Sequence, residues 1–76
     1  MNNARRQAIE KIKSQLEELF NELEEIAWEK REAFDAMPEG LQQGERGQAS
    51  EKAAGNLENA ACELQSVIDG LEEAAS

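Results

Sequence analysis

The chain has no histidine and no tyrosine, one cysteine, one proline, and an aromatic complement of two phenylalanines and one tryptophan in 76 residues. Each scarcity excludes something. Without histidine and with a single thiol, an internal disulfide cannot form and a typical zinc site has too few ligands. Without histidine or tyrosine, general acid–base work would fall to carboxylates or lysines in a pocket. Base is scarce too: 8 Lys and Arg stand against 17 Asp and Glu, a net charge of −9. That balance argues against direct binding to nucleic acid or an anionic membrane, which needs a basic footprint. No run approaches the roughly 20 apolar residues of a membrane span. The opening residues lack the apolar core of a signal peptide, and a lone thiol suits a reducing compartment, so a cytoplasmic location is expected. Seventy-six residues make one domain. A chain this short is marginal without disulfides, metal or oligomerisation, and only the last remains open to it.

What is present is heptad periodicity. In the first half Ile9, Ile12, Leu16, Leu19, Leu23 and Ile26 alternate at spacings of three and four. In the second half Ala53, Leu57, Ala60, Leu64, Val67, Leu71 and Ala74 do the same. Such spacing keeps one stripe of a helix apolar, and the stripe leaves water only by packing on another helix. With Ile9 as position a, these residues occupy a and d. Phe20, Ala27 and Phe34 repeat at e, as do Ala54, Ala61, Ile68 and Ala75 in the second half. A face of a, d and e together suits a helix with more than one neighbour.

The spacing predicts helices over about 3–36 and 45–75 with a loop over about 37–44. Good helix formers fill the first segment without a glycine or proline. Pro38 ends it, because proline lacks an N–H and biases Met37 away from helical backbone. The loop has room for one turn begun by Pro38, with Leu41 expected to cap the end of the core. The second helix is expected to begin at Glu45 after Gly44, with Ser50, a better cap residue, as a rival start. Residues 1–16 carry a net charge of +3 and residues 63–76 a net charge of −4, which favours an antiparallel hairpin. The expected fold is therefore all-α: a two-helix hairpin that assembles into a four-helix bundle or larger oligomer, a dimer being favoured. Its core seam is Ile9, Ile12, Leu16, Leu19, Leu23, Ile26, Leu57, Leu64, Val67 and Leu71.

Catalytic and metal constellations are absent from the pattern. Glu18, Glu22 and Glu25 have helical spacing but face away from the seam and have no histidine partner, so a di-iron site is rejected. A calcium loop beginning at Asp35 would need oxygen ligands where Met37 and Arg46 stand. Cys62 has neither a histidine nor a basic cluster near it in sequence to activate it. Trp28 lies outside the stripe, either as an isolated surface ring or as a second interface. At the loop end Phe34, Met37, Leu41, Gln42 and Arg46 bring apolar, amide and cationic groups together. They form either a stapled turn, in which Arg46 pairs with Asp35 or Glu39, or a recognition surface in which Arg46 binds an anionic partner. No catalytic residue, cofactor or metal is expected.

The run Glu32-Ala33-Phe34-Asp35-Ala36-Met37-Pro38-Glu39-Gly40-Leu41-Gln42, followed by Glu45-Arg46-Gly47, resembles a family of short acidic helical proteins encoded by bacteriophages and prophages. The resemblance extends to Asn3-Ala4-Arg5-Arg6 and Asn56-Leu57-Glu58, and so covers nearly the whole chain. Its discriminating part is the Phe-Asp-x-Met-Pro-Glu-x-Leu-Gln segment. Ala36 and Gly44 stand where Asn and Ser are expected, which removes a side-chain cap from the second helix. The resemblance implies a helical hairpin and a phage setting, and it transfers no catalytic residue.

These readings lead to the expectation of a non-enzymatic oligomeric protein that works through protein–protein contact with itself, and the phage resemblance implies a host bacterial protein as a further partner to antagonise. Two alternatives have different discriminators. An acidic mimic of nucleic acid would use Glu17–Glu32, net −5, in a basic channel and would bind with steep salt dependence. An oligomeric sponge would hold a small anion or nucleotide at Arg46.

Overall fold

The computed structural model describes residues 2–76. It is an all-α hairpin: α1 (Asn3–Asp35) and α3 (Glu45–Ala75) lie antiparallel, joined through the single turn α2 (Glu39–Gln42). α1 starts at Asn2, whose Oδ1 accepts from the Arg5 backbone N–H at 2.9 Å and satisfies one of the free donors of the first turn. It ends just before Pro38, which serves as the N-cap of α2. α3 begins at Glu45, with Gly44 as a cap that makes no side-chain bond. Ser50, the rival start, sits inside α3 and is buried. The whole connection is built without a positive φ among the described residues.

One glycine is nonetheless indispensable there. Gly47 is buried in the first turn of α3, and a Cβ on it would collide with the backbone carbonyls of Leu41 and Gln42. The absent side chain lets α3 press against α2, and this contact helps fix the rotation of α3 about its axis. The amide of Gln42 closes the other side of the corner. Its Nε2 donates to the Phe34 carbonyl at 3.0 Å, which also accepts the Met37 backbone N–H at 3.0 Å, and stands 3.4 Å from the Asp35 carbonyl, so it binds the last carbonyls of α1.

The seam between the long helices differs from the a/d stripe. Gly47, Ala54, Ala61, Ile68 and Ala75 are buried along α3 at strict seven-residue intervals, which is the e row. The half-buried Leu57, Leu64 and Leu71 of the a row flank them. On α1 the matching residues are Ile9, Leu16 and Leu23 at a, and Phe20, Ala27 and Phe34 at e, with Ala27 the one buried residue of that helix. Four residues expected in the seam lie outside it within the hairpin: Ile12, Leu19, Ile26 and Val67 are each about half exposed, at 49%, 53%, 52% and 53%. The reason is that a, d and e span more than one neighbour can cover. Small residues in the e row of α3 let that row approach α1 most closely, and the d row is left over.

The result is a rod of 58 × 14 × 13 Å with a radius of gyration of 17.2 Å. A compact chain of this length would have a radius of about 11 Å. No large side chain among the described residues is fully buried.

Candidate functional site: two opposite faces of the hairpin

Which rows share a face follows from two cross-helix ion pairs. Arg31, at b on α1, donates to Glu58, at b on α3, through Nε to Oε2 at 3.0 Å and Nη2 to Oε1 at 2.9 Å. Lys13 Nζ, at e on α1, stands 4.0 Å from Glu72 Oε1, at b on α3. The b rows of both helices therefore border one face of the hairpin. In a helix the d row lies on the other flank of an a/e seam, about 160° around from b at 100° per residue. Both d rows accordingly share the opposite face.

The d face carries four of the exposed large apolar side chains. Ile12, Leu19 and Ile26 run down α1, and Ala53, Ala60, Val67 and Ala74 run down α3 at the same seven-residue interval. The a-row leucines between them are only half buried, so the strip is continuous across the rod. The chain exposes 5653 Å². A folded monomer of 8.4 kDa is expected to expose about 4,600 Å². The excess, on the order of 1,000 Å², is similar to the roughly 800 Å² that each partner contributes to a standard interface.

The b face holds an open groove of about 390 Å³. It forms where two alanines, Ala27 and Ala61, meet in the seam. Phe20, Trp28 and Cys62 wall it, and Glu24, Glu58 and Gln65 form its rim. Trp28 is 64% exposed. The hydrogen bond from Arg31 holds the Glu58 carboxyl below the ordinary carboxylate range, although partial desolvation opposes this. The same bond raises the Arg31 guanidinium. Arg31 also stands 5.9 Å from the centroid of the Phe34 ring.

The loop-end residues separate. Met37 and Arg46 line a shallow cleft with Lys30, Ala49 and Ser50. Phe34 is half buried under Arg31, and Gln42 is committed to capping α1. Leu41, expected to plug the core, is 59% exposed, because α2 turns its backbone rather than this side chain toward α3. Arg46 makes no ion pair with Asp35 or Glu39 among the described residues. Cys62 is a free, exposed thiol that the sequence pattern did not connect to Trp28. Their shared f row, with the small Ala27–Ala61 layer, was the available signal.

No helix among the described residues is long and apolar enough to cross a membrane. No protein-family model matches the chain, and no curated protein or solved structure matches it either.

Proposed function

We propose that the protein is a non-enzymatic assembly module in which two hairpins clasp through their d faces to make a four-helix bundle that works by protein–protein contact. The observation that carries this is the row Ile12, Leu19 and Ile26 beside Val67, four large apolar side chains left about half exposed on one face. A second copy is the occupant that fits. Its d rows are apolar from Ile12 to Ile26 on α1 and from Ala53 to Ala74 on α3, and the excess surface of the whole rod is similar to what one side of a dimer interface buries. A phage-related setting, with a host bacterial protein as the further partner, belongs to the same proposal and rests on the Phe34–Gln42 segment.

The test is sedimentation equilibrium or light scattering at micromolar concentration with far-UV circular dichroism on the same sample. The expected mass is twice the 8.4 kDa protomer or a higher even multiple. A fully helical monomer would overturn the reading.

A further inference from the structure

We infer that the groove on the b face is a docking site for a cationic amphipathic helix of a partner protein, which inserts one aliphatic or aromatic anchor between Trp28 and Cys62. The groove lies opposite the d face, so it stays open in the proposed dimer and does not depend on that dimer forming.

Three features converge on this occupant. The first is shape: Ala27 and Ala61 meet where the neighbouring layers have Phe20, Ile68 and Phe34, so the furrow between the helices deepens at that level. A helix laid along such a furrow places a single side chain in the deep part, as in helix-in-groove recognition. The second is the wall. Trp28 offers a flat apolar surface that is 64% exposed, and tryptophan is among the residues that most often dominate binding energy at interfaces. The third is charge. Within one heptad of the groove, the b and f rows carry Glu17, Glu24, Asp35, Glu51, Glu58, Asp69 and Glu72. Their one base, Arg31, is already bonded to Glu58. An acidic rim around an apolar furrow complements a helix with one apolar anchor and flanking lysines or arginines, and its potential would speed their encounter.

The test uses the full chain and a pair of model helices, a lysine–alanine peptide with one central leucine and the same peptide with alanine at that position. Trp28 is the sole tryptophan and Cys62 the sole thiol, so both readouts are specific. Occupancy by the leucine peptide should shift Trp28 emission to shorter wavelength and slow alkylation of Cys62 about tenfold. Replacing the anchor with alanine, or making Trp28→Ala in the protein (followed by the Cys62 readout), should weaken binding about tenfold. Glu24→Gln should weaken it less and reduce its salt dependence. Sedimentation of the same samples reports the dimer separately. Equal binding of the two peptides would mean charge attraction alone and would overturn the proposal. So would the absence of protection at Cys62 with the leucine peptide.

Discussion

Arg31 and Glu58 meet side-on across the hairpin, 27 residues apart in sequence, through two hydrogen bonds of 3.0 and 2.9 Å. This is the one bidentate pair among the described residues, and it defines the register of α3 on α1. Its planar geometry needs the guanidinium fork, which lysine lacks.

The pair makes stability depend on pH with a definite sign. The Glu58 carboxyl is held below its ordinary value by the Arg31 hydrogen bond. Its contribution is therefore complete above the ordinary carboxylate range and is lost as pH falls through the lowered value. Thermal melts should show Glu58→Gln less stable than the parent at neutral pH, with the gap closing in acid. A gap that persists unchanged in acid would contradict the assignment.

Gly47→Ala should be the most damaging glycine substitution. The added methyl would meet the backbone oxygens of Leu41 and Gln42, which cannot move without opening the corner. A loss of about 2 kcal/mol or more is expected from chemical denaturation. Gly55 and Gly70 are the controls, since a Cβ at either meets nothing within 4 Å. Alanine there should stabilise the protein by up to about 1 kcal/mol each.

Gln42→Ala removes the donor that reaches the Phe34 and Asp35 carbonyls. The expected cost is about 1 kcal/mol, together with faster amide exchange in the residues around the corner. Asn2→Ala should cost a similar amount, about 0.5–2 kcal/mol, at the opposite end of α1.

Leu19→Glu or Val67→Glu places a charge in the centre of the exposed d face. Each should give a monomer in sedimentation while the hairpin keeps its helicity, because neither residue lies in the a/e seam. Trp28→Ala, on the opposite face, should leave the mass unchanged. Raising the salt should strengthen self-association, since each protomer carries −9 and ions screen that repulsion.

The helical hairpin itself was legible from residue order. Uninterrupted helix formers, the stop at Pro38 and the two heptad patterns led to two long helices and a corner, and the structure bears out that all-α fold. The corner residues were less legible. In sequence Gln42 belongs to a loop-end group that is either a stapled turn or a recognition surface, and its bonds to the last carbonyls of α1 emerge only once the corner is folded. The need for glycine at position 47 emerges only when α2 is placed against it. The groove was hidden for a similar reason, since Trp28 and Cys62 belong to different helices and only the register brings them to the two sides of one groove.

The order of residues by itself determined that each helix would carry apolar rows at a, d and e, because that periodicity is a property of one chain and needs no partner. It could not say which two of the three rows would face inward. Rotating a helix by a few tens of degrees exchanges d for e at little cost in buried area when both rows are apolar. The tertiary structure decided it: the contact of Gly47 with α2 and the Arg31–Glu58 pair set the azimuth and register together. Ile12, Leu19, Ile26 and Val67 were thereby turned outward, and Trp28 was placed on the far side.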